Sequence, residues 1–263
     1  MPSDLGILDR GTGRPIVFLH GYPLHRGMWS RQLGTLSRRF RVLLIDLPGF
    51  GTSSEAPVPT TLPGFAVAVG EAMDGVLDGP AAIFGHSFGG YIALQMFHDR
   101  PERFSALGLV GTRAEADAPD ARERRLETAR RLEDPAERLD LAATVRGLLA
   151  PTTLADGGPV VEATTAIVRA ATNRAIVGAL RAIAGRPDLT GVLPTVDVPT
   201  LVVWGADDQL MPPARTQALA VGISGAIGAP IAGAGHMSPL EAPEAFDRAV
   251  VEFFQGPAEA TPR

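Results

Sequence analysis

Cysteine is absent from this chain, which excludes disulfides and thiolate metal sites at the outset. Lysine is absent too, so all 24 basic residues are arginine. Set against 29 acidic residues they leave a net charge of −5 without any basic block, which argues against nucleic-acid binding and against attachment to an anionic membrane surface. No apolar run approaches the roughly 18 residues that a membrane span requires. The opening residues Met1 to Leu5 lack the basic and apolar regions of a secretory signal, so a soluble, cytoplasmic protein is expected. Internal repeats are missing as well.

What the chain does have is glycine (30 residues), proline (23) and an apolar fraction of 45%. Its 263 residues suit one large α/β domain or two small ones. Continuous apolar stretches at 15–21, 41–46, 81–84 and 106–110 read as strands covered on both faces, since a sheet exposed on one side would alternate. Helical spacing fills the gaps at 28–38, 65–77 and 91–99, and this alternation predicts a mostly parallel central sheet with helices on both faces. The rhythm stops after Gly111. Residues 112–186 carry only helical stretches, at 119–132, 138–149 and 160–183, and read as an inserted helical cap. The sheet resumes at 200–205 and 226–232, with helices at 213–220 and 243–254, before a disordered tail at 255–263. The predicted core domain is therefore 1–111 together with 187–263, and residues 4–13 read as a polar, glycine-rich turn leading into the first strand.

The most informative stretch is Gly85-His86-Ser87-Phe88-Gly89-Gly90, a G-x-S-x-G pattern between a strand and a helix. A serine displayed on so tight a turn needs neighbours without side chains two residues away on either side, and Gly85 and Gly89 supply them. Ser87 then stands at a helix N-terminus, where the dipole favours developing negative charge. Serine is a poor nucleophile at neutral pH unless a base lies within reach and a third group orients that base. Of the five histidines, His86 is locked inside the turn, His98 ends a helix, His25 lies in a polar loop and His20 closes the first central strand. His236, in the loop Ala232-Gly233-Ala234-Gly235-His236 after the last strand, is the expected general base. Asp207 and Asp208, just beyond the strand ending at Gly205, are the candidate orienting carboxylates, with Asp208 preferred. The expected oxyanion donors are the backbone N–H groups of Phe88, after the nucleophile, and Tyr22, in the loop after the first central strand. Asp46 reads as a carboxylate that pins its own loop.

Together, His20-Gly21-Tyr22-Pro23, Asp46-Leu47-Pro48-Gly49-Phe50-Gly51, Gly85 to Gly90, Trp204-Gly205-Ala206-Asp207-Asp208 and Gly235-His236 resemble the α/β-hydrolase superfamily over residues 10–255. The resemblance implies the chain order Ser87, Asp208, His236, and its usual carboxylate spacing favours Asp208 over Asp207. The cap entry, Gly111 to Asp117, and the exit at Arg186-Pro187-Asp188 resemble small serine carboxylesterases and 3-oxoadipate enol-lactonases. Dehalogenases and epoxide hydrolases of the same superfamily carry aspartate where Ser87 stands, so ester-type acyl transfer is implied, with no metal or organic cofactor. The expected partner is a small, largely apolar ester or lactone. The other readings are a lactonase, a C–C bond hydrolase using the same three residues, and a non-catalytic small-molecule receptor. Met28, Trp29 and Met237 are expected to wall the substrate pocket, and Arg113 to meet a substrate carboxylate or else to pair with Glu115 or Asp117. The short N-terminal segment leaves little room for the leading antiparallel strands that the superfamily usually has.

Overall fold

The computed structural model describes residues 5–256. Its centre is a seven-stranded sheet in the order β1-β3-β2-β4-β5-β6-β7. The strands are β1 (Ile7–Arg10), β2 (Pro15–Leu19), β3 (Arg41–Ile45), β4 (Ala81–His86), β5 (Phe104–Val110), β6 (Thr200–Gly205) and β7 (Ile227–Ile231). All neighbours are parallel except β1, which runs antiparallel to β3 with Ile7 opposite Ile45 and Arg10 opposite Val42. This corrects the expectation of a missing leading strand: Asp9 and Arg10 belong to β1 and not to a turn. Asp9 is fixed there by Arg41, whose Nη2 donates to its carboxylate at 2.7 Å. The expected disordered tail lies, from residue 257 on, outside the described residues.

Every residue of β4 is buried, as expected of a central strand covered on both faces. One face of the sheet meets α2 (Leu62–Asp74) and α3 (Phe88–Asp99), and Phe65 packs edge-on to Phe88 with ring centroids 5.0 Å apart. The other face meets α1 (Ser30–Leu36) and the closing helix α11 (Pro243–Gln255), where Phe84 lies between Phe18, Phe253 and Phe254. Two shorter helices flank the C-terminal strands, α9 (Pro213–Gly222) and α10 (Ser238–Glu241).

Between β5 and β6 come five helices: α4 (Pro119–Leu132), α5 (Leu141–Leu148), α6 (Pro151–Asp156), α7 (Pro159–Arg169) and α8 (Asn173–Ala184). The long helix expected over 160–183 is two helices. Thr172 in extended backbone caps the second, its hydroxyl accepting from the Ala175 N–H at 3.2 Å, and a side chain competing for backbone in this way starts a new helix. Leu132 of α4 and Ile176 and Leu180 of α8 form a small apolar cluster of their own. The inner face of α8, with Ala175, Ala179 and Ile183, joins the main core beneath it, and α5 and α7 bury Leu148 and Ile167 against the other half of the core.

Candidate active site

The turn after β4 is built by the collision rule that the sequence suggests. A Cβ on Gly85 would come within 2.2 Å of the Gly89 carbonyl oxygen, and one on Gly89 within 2.6 Å of the Leu19 oxygen, so neither position tolerates a side chain. Ser87, squeezed between them, adopts φ 50° and ψ −110°, and it alone of the described non-glycine residues has a positive φ. Such a conformation costs about 1–3 kcal/mol and persists only where the surroundings enforce it. They do so here through hydrogen bonds to the serine's own backbone: the Ser87 N–H donates to Val110 O at 2.8 Å, and the Ser87 carbonyl accepts from Gly90 N–H and from the Thr112 hydroxyl. Phe88 is the first residue of α3, so its N–H has no acceptor within the helix and stays available beside Ser87.

Asp208 and His236 meet in the interior. His236 Nδ1 lies 2.7 Å from Asp208 Oδ2, with both side chains fully buried. The second carboxylate oxygen accepts from the backbone N–H groups of Leu210 and Met211 at 2.9 and 2.8 Å, which fixes the direction in which the acid points. With Nδ1–H donating to Asp208, the lone pair belongs to Nε2, and that buried atom has no hydrogen-bond partner. Asp207 is exposed and contributes only its backbone N–H, to Ala234 O at 2.9 Å.

Two side chains hold the His236 loop. His86 donates from Nε2 to the His236 carbonyl at 2.8 Å, the two rings lying 4.6 Å apart, and burial together with the nearby His236 pushes its pKa well below the ordinary histidine value. Glu241, at the end of α10, accepts from Gly235 N–H at 2.9 Å and Met237 N–H at 3.2 Å with Oε1, and from Ala150 N–H at 2.8 Å and the Thr153 hydroxyl at 2.7 Å with Oε2. Burial pushes its carboxyl up, and these donors pull it back only in part. One carboxylate thus clamps both flanks of His236 to the start of α6.

The loop after β2 lies against the turn, for a Cβ on Gly21 would sit 3.2 Å from the Cβ of Ser87. His20 fixes that loop by donating from Nδ1 to Gly21 O at 2.8 Å while Nε2 accepts from Leu47 N–H at 2.9 Å. Burial lowers its pKa to about 4 and keeps it neutral. Asp46 plays the pinning part read from the sequence, accepting from Arg26 N–H and Thr52 N–H, both at 2.8 Å.

A cavity of about 450 Å³ opens above Ser87. Tyr22, Phe88 and Tyr91 form part of its wall, Thr144, Gly147 and Leu148 of α5 its roof, and Arg113, Arg125 and Arg215 its charged lining. Met28, Trp29 and Met237 do not line it. Fully buried in the core, they pack beneath the turn instead, with Trp29 edge-on to His86 and tilted against Phe18. Arg113 does line it while donating to Asp117, one of the two acids expected for it.

The family model of the alpha/beta hydrolase fold matches residues 14–243. The chain belongs to that family. Among curated relatives, a pimeloyl-[acyl-carrier protein] methyl ester esterase of Stenotrophomonas maltophilia is 31% identical over 86% of this chain and 87% of its own length. The dihydrolipoyllysine-residue acetyltransferase component of the acetoin cleaving system of Cupriavidus necator is 30% identical over 88% of this chain, which spans only 61% of that longer protein. Among solved structures, a thermophilic esterase from Thermogutta terrifontis, with malate bound, superposes with a TM-score of 0.90 at 32% identity, covering 95% of this chain and 93% of the other. The enol-lactonase of Burkholderia xenovorans does so at 0.87 and 25%, covering 97% and 99%.

Within this α/β-hydrolase frame, sequence reasoning overlooked Glu241, Arg125 and Arg215. Glu241 did leave a signal, since Ser238-Pro-Leu-Glu241 has the spacing of a capping box, whose acid reaches back to the start of its helix. No local pattern marks the two arginines, which reach the cavity from separate helices. Among the described residues no group of three or more His, Asp or Glu side chains is arranged to hold a metal, and no helix is long and apolar enough to cross a membrane.

Proposed function

We propose that this chain is a serine hydrolase of carboxylic esters, working through an acyl-enzyme on Ser87 with His236 as general base, Asp208 as the acid that orients it, and the N–H groups of Phe88 and Tyr22 as the oxyanion donors. The observation that carries the reading is the buried 2.7 Å His236–Asp208 contact with an unpartnered Nε2 on the far side of the ring. In the first step Ser87 Oγ bonds to the ester carbonyl carbon, its proton passes to His236 Nε2, and the carbonyl pair moves onto oxygen. That oxyanion faces the start of α3, where a free N–H and the helix dipole stabilise it. As the C–O bond to the alcohol breaks, the imidazolium returns the proton to the leaving oxygen. Water then repeats the sequence on the acyl-enzyme, releasing a carboxylic acid and restoring Ser87. A lactone, being a cyclic ester, passes through the same steps without losing a fragment, which is how the likeness to an enol-lactonase enters this reading.

Residues 112–186 act in this scheme as a cap. Thr144, Gly147 and Leu148 of α5 roof the cavity and limit the water reaching Ser87. The test is turnover of p-nitrophenyl acetate together with labelling by a fluorophosphonate. Wild type should hydrolyse the ester and be labelled at Ser87 alone, and Ser87→Ala should lose both while keeping its circular-dichroism spectrum. Tight ligand binding without turnover, or labelling at Ser53, Ser54 or Ser238, would overturn the assignment.

A further inference from the structure

Charge in the cavity is one-sided. Of the side chains lining it, three are cationic, Arg113, Arg125 and Arg215, and none is acidic. They arrive from different places: the segment after β5, α4 and α9. Behind them Asp117, with 0% of its side chain exposed, receives Arg113 and Arg186 on one carboxylate oxygen and Arg125 on the other. Arg186 is committed to the fold, donating also to Ile183 O and Glu115 O and lying 4.3 Å from the centre of the Tyr91 ring. Arg215 has only Glu115, at 3.8 Å, and remains half exposed.

Four guanidiniums therefore pair directly with two carboxylates, and a third, the exposed Asp188, adds only a longer-range charge beside Arg186. Arginine cannot relieve the excess by losing a proton, and a partly buried cation without a counter-charge is costly. Asp117 is already shared three ways. The Arg113 Nε is buried with no partner, so donor capacity is left over at the wall itself. Arg125 lies close enough to Tyr22 for its charge to oppose the burial that pushes the phenol pKa up, which sets the cationic wall beside the loop next to Ser87.

We propose that Arg113, Arg125 and Arg215 form an anion subsite in the Ser87 cavity that selects esters or lactones bearing a second, anionic group, a carboxylate or a phosphate, on the portion that occupies the cavity. The inference rests on the ester-hydrolase reading and narrows its substrate class. Planar guanidinium forks suit either oxyanion, and charge-assisted bonds in a half-buried cavity are strong enough to discriminate.

The experiment compares kcat/KM for three p-nitrophenyl esters of matched length: a pentanoate, a hydrogen glutarate, and one whose chain ends in a phosphate monoester. Wild type should prefer at least one anionic ester over the pentanoate, and whichever is preferred identifies the anion. Arg215→Gln and Arg125→Gln should each lower that preference about tenfold or more. Arg130→Gln, exposed on the outer side of α4 and paired with Glu123, should not lower it. Added salt should erode the preference. Hydrolysis of the pentanoate with no preference for either anion, or with a preference that both variants retain, overturns the subsite and leaves the esterase reading standing. If wild type hydrolyses none of the three, the esterase reading falls, and titration calorimetry of glutarate and of inorganic phosphate into Ser87→Ala protein decides the subsite by itself. Binding that weakens about tenfold on adding Arg125→Gln supports it, whereas absence of binding at roughly millimolar ligand overturns it.

Discussion

At the scale of single residues, the proposed mechanism separates groups that would do chemistry from groups that would aim them. Asp208→Asn should lower kcat about 10⁴-fold, because an amide on the far side of Nδ1 favours the wrong imidazole tautomer, while Asp207→Asn should stay within a few-fold of wild type. Steady-state hydrolysis of p-nitrophenyl acetate by the two variants checks this, and a reversed order would reassign the acid. His20 makes a different prediction. It is buried neutral with its pKa lowered to about 4 from 6.5, so between those values the unfolded chain takes up a proton that the folded chain refuses. Stability conferred by the neutral ring is therefore complete above pH 6.5 and drains away as the pH falls toward 4, by up to about 3 kcal/mol. Urea unfolding at pH 7 and pH 4 should show this loss, and His20→Gln should make the difference smaller. Ser87 could be singled out in the sequence because a serine on so tight a turn needs glycines at fixed offsets, and His236 because it alone of the five histidines lies in a glycine-rich loop after the last strand. Met28, Trp29 and Met237, expected at the pocket wall, lie in the core instead, since an apolar side chain near a site reads the same in sequence whether it faces ligand or core; for Trp29 it is packing against Phe18 and His86 that decides it.

Among elements, the strands were the easiest to read and the helices between β5 and β6 the hardest. Buried parallel strands write themselves as unbroken apolar runs, whereas β1, at the edge with only Ile7 and Leu8 turned to good apolar account, alternates too briefly to be seen. The division of 160–183 depends on one capping threonine. The short α10 matters more than its length suggests, because its Glu241 accepts from both flanks of His236 and from the first turn of α6. Every one of those partners is a donor. Glu241→Gln must turn an NH₂ toward at least one pair of them, leaving buried donors unpaired at about 1–3 kcal/mol each. The variant should melt at a lower temperature and, at temperatures where it is still folded, show a lower kcat with little change in KM. A KM that rises while kcat holds would mean that the clamp shapes the cavity and not the His236 loop.

For the molecule as a whole, the helices between β5 and β6 share apolar clusters with the sheet: α8 buries Ala175 and Ile183 alongside Leu19 and Phe88, and α5 and α7 bury Leu148 and Ile167 alongside Trp29. Shared burial of this kind couples unfolding. Both tryptophans, Trp29 and Trp204, lie outside that helical segment, so their fluorescence reports the sheet while far-ultraviolet dichroism is weighted by the helices. The two thermal transitions should coincide, and a dichroism change preceding the fluorescence change would show that helical segment melting alone. The turn at Ser87 pulls against this cooperative whole. Its left-handed backbone is one that glycine adopts freely, so Ser87→Gly should raise the melting temperature while abolishing turnover. A selection that rewarded only abundance of folded protein would drift toward glycine at that position and discard the proposed nucleophile. On the proposed mechanism, the serine there keeps the reaction going at the expense of how firmly the fold holds together.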